Sequence, residues 1–189
     1  TEVPLPEPQF APGEAGDGLS VRGLRASYDR TAVWEQVSFT APRGQITAIT
    51  GHNGAGKTTL ARCLCGLMKE KDGAILWDGK PIRRKDRKRK GFLIMQDVNL
   101  QLFADSVLAE AQLGNDANEM EALAALERMD LSLYAQVHPL ALSGGQKQRL
   151  AIVDGCLSAK ELLIFDEPTS GLDYAHMLEV SRLLRELAE

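Results

Sequence analysis

The chain has 189 residues and a mass of 20.6 kDa, with 44% apolar and 25% charged side chains. That size and composition allow one domain with a hydrophobic core and exclude two full domains, wholesale disorder and fibrous classes. The net charge is −4, yet the octet RRKDRKRK at residues 83–90 carries seven positive charges against one negative, which leaves −10 for the rest.

Residues 1–18 hold four prolines and three glycines with almost no apolar periodicity, which predicts a disordered tail or linker. A start at Thr1 where a complete gene product would start with Met suggests a fragment or a processed form. No basic-then-apolar leader opens the chain, and no apolar run approaches the roughly 18 residues that cross a bilayer, so a soluble chain is expected. Cys63, Cys65 and Cys156 lack metal-site spacing or His partners and read as small apolar packers in a reducing compartment.

Short apolar or alternating runs at 19–27, 34–41 and 45–50, bounded by Pro and Gly, predict strands. A glycine-rich turn follows, then Leu60, Leu64 and Leu67 at helical spacing. Residues 74–77 and 92–95 read as further strands. From about 106 to 158 the pattern turns helical, with Met120, Leu123 and Leu126 on one face and Leu150, Val153 and Leu157 on another. The apolar run in ELLIFDE at 161–167 has the character of a central parallel strand, and Met177, Val180, Leu184 and Leu187 mark a final amphipathic helix. No internal repeat is visible.

The sharpest chemical signal is GHNGAGKT at 51–58, which fits G-x-x-x-x-G-K-[ST] in full. Glycines let backbone N–H groups approach phosphate oxygens without a Cβ in the way, and the helix that begins here turns its positive end to the same anion. Gly51, Asn53, Gly54, Ala55, Gly56, Lys57, Thr58 and Thr59 form the expected nucleotide-binding set. Lys57 supplies a point charge for the terminal phosphates, and Thr58 a hydroxyl for magnesium.

A second signal is the pair Asp166-Glu167 at the end of the apolar strand, the sheet edge where ligands bind in open α/β folds. Asp166 is placed to hold a magnesium ion, and Glu167 to orient or deprotonate the water that attacks the γ-phosphate. A third is LSGGQ at 142–146, where Ser143 reads as an N-cap followed by open glycine N–H groups: a second anion-binding helix start.

The run LSGGQ, after a phosphate loop and just before LLIFDEPTSGLD, closely resembles the ATP-binding cassette (ABC) ATPases from about Leu19 to the end of the chain. The resemblance implies an α/β P-loop NTPase fold of the ABC type, with an antiparallel β subdomain and a helical insert at about 98–157, and a chain that is C-terminally truncated. It implies ATP and Mg2+ as ligands, and a head-to-tail pair of cassettes in which Ser143, Gly144, Gly145 and Gln146 of one face the phosphate loop of the other. Tyr28 matches the aromatic that stacks on adenine. Gln96 matches the glutamine that contacts magnesium and water, so Glu167, Gln96 and Lys57 form the expected catalytic set and Thr58, Gln96 and Asp166 the metal set. The SGLD at 170–173 matches the loop that crosses the dimer interface.

The stretch from Gln96 to Val107 looks like that of energy-coupling-factor importer ATPases, which move vitamins or metal ions, and Leu100, Leu102 and Phe103 suit a groove that receives a membrane partner. This resemblance implies a peripheral ATPase subunit at the cytoplasmic face of a membrane, bound to a membrane-spanning subunit and a second ABC ATPase domain, with no nucleic acid expected. The family's switch histidine, roughly thirty residues past the catalytic glutamate, has no counterpart here, and His176 comes too early, so slow turnover is expected. A soluble ABC ATPase acting on ribosomes or nucleic acid is the alternative, favoured by the basic octet. A regulatory nucleotide-binding partner is a third. The octet itself is expected to form a solvated, poorly ordered surface, with anionic lipid or RNA as its functional readings. His52 and His138 are assigned no ligand.

Overall fold

The computed structural model describes residues 17–28, 31–114, 116–168 and 171–188, with the side chains at 28, 31, 32 and 35 outside that set. Most of the predicted tail therefore lies outside the described residues, although Gly18 already opens a strand.

Strand β1 (Gly18–Tyr28) pairs antiparallel with β2 (Thr31–Pro42) on one edge and with β3 (Asp72–Trp77) on the other, and β3 turns back into the short β4 (Lys80–Pro81). The sheet order is β2-β1-β3-β4. Leu19 and Val21 point to the core and so do Leu24 and Ala26, a change of parity that strict alternation forbids. A register shift between Val21 and Leu24, with Gly23 at φ 55°, supplies the bulge that returns the second pair to the buried face. That face packs on Leu60, Cys63 and Leu64 of helix α1 (Lys57–Leu64).

A second layer consists of β5 (Gly91–Ile94) and β6 (Leu162–Phe165), paired in parallel from Gly91↔Leu162 to Ile94↔Phe165. Parallel neighbours need a long crossover. Here it contains α3 (Val107–Gln112), α4 (Glu119–Arg128) and α5 (Gly144–Leu157), with 3-10 turns at Val98–Leu100, Ser132–Tyr134 and Pro139–Ala141. These helices share one core with Ile94, and α6 (Tyr174–Ala188) adds Val180 and Leu183 to it.

Several expectations change. Residues 45–50 form no strand: Ile46 is 58% and Ile49 43% exposed, and among the described residues no strand lies along them. Apolar alternation expresses a readiness to be buried, but a strand exists only where a second backbone takes its hydrogen bonds. Leu67 falls beyond the end of α1 and is exposed. In α4 the buried residues are Ala122 and Leu126, and Met120 faces outward, because the helix meets its neighbours one step round from the predicted stripe. The apolar run of β6 is only half-buried, since β5 is its one partner among the described residues.

The basic octet is not a loose surface. It forms α2 (Arg84–Lys90) with Arg83 at its N-cap, and three of its cations are tied to the rest of the fold while a fourth pairs within the octet. Arg83 pairs with Asp86, Arg84 donates to the carbonyls of Gly66 and Leu67, Arg87 is buried against Glu70 at 2.6 Å, and Lys90 pairs with Glu161. Lys85, Lys88 and Arg89 remain exposed. All three cysteines are buried or half-buried, and burial, the largest influence, pushes the Cys63 thiol up to about 11 and Cys65 and Cys156 to about 12.

Candidate nucleotide-binding site

The loop 51–56 ends at Gly56, the N-cap of α1, held at φ 89°. Only glycine adopts this conformation without strain, and a Cβ there would lie 2.4 Å from Val33 Cγ1 and 2.5 Å from Trp34 Nε1. Leu60 N–H bonds to the Gly56 carbonyl and closes the first turn, and the N–H groups ahead of it have no partner within the helix.

A cavity of about 620 Å3 opens there. Its walls bring together Asn53, Gly54, Gly56 and Lys57–Thr59 from the loop, Gln96 from beyond β5, and Asp166 and Glu167 from beyond β6. Residues 110 positions apart in sequence thus meet because β5 and β6 are in register: the Asp166 N–H bonds to the Ile94 carbonyl at 2.9 Å, so both strands end at one level.

Side chains within the cavity are already paired. Thr58 Oγ1 donates to Asp166 Oδ2 at 2.7 Å, and Gln96 Nε2 donates to Glu167 Oε2 at 2.9 Å. Asp166 is 9% exposed, whereas Glu167 is exposed and stands at φ 56°, unusual for a side chain of its kind. Lys57 Nζ is folded onto its own loop, donating to the carbonyls of Gly51 (2.8 Å) and His52 (3.2 Å), and Ala55 N–H closes the same turn onto His52. The cavity therefore offers amide donors and one ammonium on one side, and a hydroxyl with two carboxylates on the other. Such an arrangement can grip an oxyanion chain and a hard cation together.

The remaining expected residues lie elsewhere. Ser143 caps α5 in a capping box: its Oγ accepts from Gln146 N–H at 3.3 Å and its own N–H donates to Gln146 Oε1 at 2.8 Å. Ser143, Gly144, Gly145 and Gln146 do not line the cavity. The side chain of Tyr28 and the whole of Ser170 lie outside the described residues. Asp173, in the following loop, caps α6 by accepting from His176 N–H, and His176 Nδ1 meets the same carboxylate at 2.7 Å. The His176 N–H and ring, in that order, hold the Asp173 carboxyl below its usual range. Of the three apolar residues expected in a surface groove, Leu100 and Phe103 are 61% and 74% exposed, but Leu102 is buried at 5% and belongs to the core.

Sequence reasoning missed three contributors. Val33 lines the cavity, and Trp34 sits beneath Gly56; both belong to a strand, and nothing in their spacing announces a site. Glu110, 3% exposed, accepts from the N–H groups of Phe103 and Ala104 at 2.7 and 2.6 Å and so fixes the loop that follows Gln96. A lone acid within a helical pattern gives no such signal.

The sequence pattern of the family described as ABC transporter matches residues 34–170. The chain belongs to that family. Among ABC proteins, a putative ABC transporter ATP-binding protein of Treponema denticola is 46% identical over 183 residues, covering 96% of this chain and 37% of that protein. The putative HMP/thiamine import ATP-binding protein YkoD of Bacillus subtilis is 33% identical, covering 97% of this chain and 35% of YkoD. The solved structure of cbiO1 from Clostridium perfringens, part of the ABC transporter complex cbiONQ, superposes with a TM-score of 0.76 at 32% identity, covering 92% of this chain and 74% of cbiO1. This ABC chain thus spans little more than a third of the length of the curated relatives named here. No helix of the described residues is long and apolar enough to cross a membrane.

Proposed function

We propose that this chain is the ATP-binding and ATP-hydrolysing engine of a membrane transporter, an importer of the energy-coupling-factor type. One observation carries the catalytic part: the phosphate loop, Gln96, Asp166 and Glu167 converge in a single cavity with Thr58 bonded to Asp166 and Gln96 to Glu167. Lys57 and the amides of Gly54–Thr59 would hold the β- and γ-phosphates. Glu167, exposed at the cavity mouth and steadied by Gln96, is placed to accept the proton of the attacking water.

The donor set fits magnesium. A hydroxyl and a carboxylate 2.7 Å apart, with a side-chain amide beside them, are hard oxygen ligands of the number that magnesium takes from protein when phosphates and waters complete its shell. Thr58, Asp166 and Gln96 would hold the ion, which supplies charge neutralisation at the phosphates when bound.

Ser143 to Gln146 stand at a helix start away from the cavity, which supports a second ABC ATPase domain whose phosphate loop they complete, either another copy or a related cassette. Exposed Leu100 and Phe103, on a loop pinned by Glu110, support docking of a membrane-spanning subunit, and with it a peripheral place at the cytoplasmic face of the membrane. The importer type rests on the stretch after Gln96 and on the likeness to YkoD and cbiO1.

At MgATP about 100-fold above the dissociation constant, binding should stabilise the fold by roughly 2.7 kcal/mol, and Lys57→Ala should remove most of the resulting melting shift. Pull-down from detergent-solubilised membranes should recover an integral membrane protein. Recovery of ribosomes instead would move the protein to the soluble branch of the family.

A further inference from the structure

The phosphate loop has two mechanically different halves. Residues 51–55 are held by contacts that a bound phosphate would replace: Lys57 Nζ on the Gly51 and His52 carbonyls, and Ala55 N–H on His52. Gly56 is held by something a nucleotide does not touch. Trp34, half-buried in the core between β1 and α1, presses its indole edge under Gly56 so closely that a Cβ would stand 2.5 Å from Nε1 and 2.7 Å from Cδ1. Its Nε1–H donates to the Gly56 carbonyl at 3.4 Å, the carbonyl that also closes the first turn of α1 with Leu60.

We propose that Trp34 is a positioning residue for nucleotide binding: it braces Gly56 from below, so that the first-turn amides keep their direction while residues 51–55 release Lys57 to the phosphates. This inference rests on the reading of the cavity as an ATP site. Its physical basis is that donors aimed at an anion lose affinity when misplaced by fractions of an ångström. Leucine would fill part of the space, but without a planar edge or an N–H to the carbonyl. Phenylalanine keeps the plane and loses the bond.

The chain carries its own internal control, since its one other tryptophan, Trp77, lies far from the loop. Trp34 pairs with Ala26 of β1 and Trp77 with Leu19, seven residues along the same strand, or roughly 20 Å at the rise of a strand. Trp77 is flanked instead by Arg43 and Lys90, each 5.2 Å from its ring.

The test measures tryptophan emission and binding heat as MgADP or MgATP is added to Trp77→Phe, Trp34→Phe and Trp34→Leu. In Trp77→Phe, the emission of Trp34 should change saturably with the calorimetric midpoint. In Trp34→Phe, the remaining Trp77 should stay silent. Trp34→Leu should bind nucleotide about three- to tenfold more weakly, the range one neutral hydrogen bond spans, with KM raised by a similar factor and kcat little changed. Trp34→Phe should fall between Trp34→Leu and the parent. Should Trp34→Leu fail to fold, the Phe variant and the two spectra still decide. Flat emission from Trp34 while calorimetry records binding, or parental affinity in both Trp34 variants, would overturn the brace alone. Absence of binding heat in the parent would instead overturn the ATP site and the brace with it.

Discussion

Glu167 holds a left-handed backbone at φ 56° beside the cavity mouth, a conformation that costs a non-glycine residue on the order of 1 kcal/mol. The geometry aims its carboxylate at Gln96, 2.9 Å away. Glu167→Gln removes the basic oxygen and keeps the shape, so hydrolysis should fall by about 10^2 to 10^4 while MgATP binding survives, as phosphate release and calorimetry would show. Arg87 makes the opposite kind of case, a structural charge. It is 2% exposed, and Glu70 is its ion-pair partner. Burial raises the Glu70 carboxyl, but the hydrogen bond and charge of Arg87 outweigh this and hold it below the usual range. Glu70→Ala would strand a buried cation, and a loss of about 3 kcal/mol in denaturant unfolding is expected.

Helix α5 carries the LSGGQ run at its start and an unpaired acid near its end. The Ser143–Gln146 capping box satisfies donors that would otherwise be open, so Ser143→Ala should cost about 1 kcal/mol, a fall of roughly 2–4 °C in melting temperature for a chain this long. Asp154, further along, has Oδ1 buried with no hydrogen-bond partner among the described residues. Burial first, and the charge of Glu110 second, push its carboxyl well above the carboxylate range. The folded state therefore retains this proton after the unfolded chain has lost it. Stability tied to the group is full below the unfolded value near pH 4 and drains away as pH rises towards the folded one. Asp154→Asn should stabilise the protein little at about pH 4.5 and more at about pH 8, and melting curves across that interval would reveal a gap that widens with pH. A constant gap would mean that the acid is ionised throughout.

At the scale of the molecule, one chain holds a phosphate loop with its carboxylates and, separately, the LSGGQ start of α5, which does not line the same cavity. If two protomers complete each site, Glu167→Gln with MgATP should elute as a dimer in size-exclusion chromatography. Adding Ser143→Arg to that variant should return it to the monomer volume without abolishing nucleotide binding. Retention of the dimer would show that α5 does not face the partner's phosphates. The basic helix α2 belongs to this scale too. It precedes β5 while Gln96 and the exposed loop follow it, so the basic and apolar surfaces stand at opposite ends of one strand.

Local chemistry was legible because each motif carries its reason within a few residues. A glycine-rich turn before a lysine and threonine, an apolar strand ending in two acids, and a serine cap before two glycines each announce their local arrangement without a fold around them. Strand or helix character for β1, β2, β3, β5, β6, α1, α5 and α6 was legible for the same reason. Tertiary structure alone decided whether 45–50 would find a ladder partner, that Leu102 turns inward while Phe103 turns out, and that the basic octet becomes a tethered helix. It also brought Val33 and Trp34 to the phosphate loop and Glu110 to the loop after Gln96. Those outcomes depend on which backbone or side chain arrives from tens of residues away, and periodicity records a residue's preference for burial but not the identity of its neighbour.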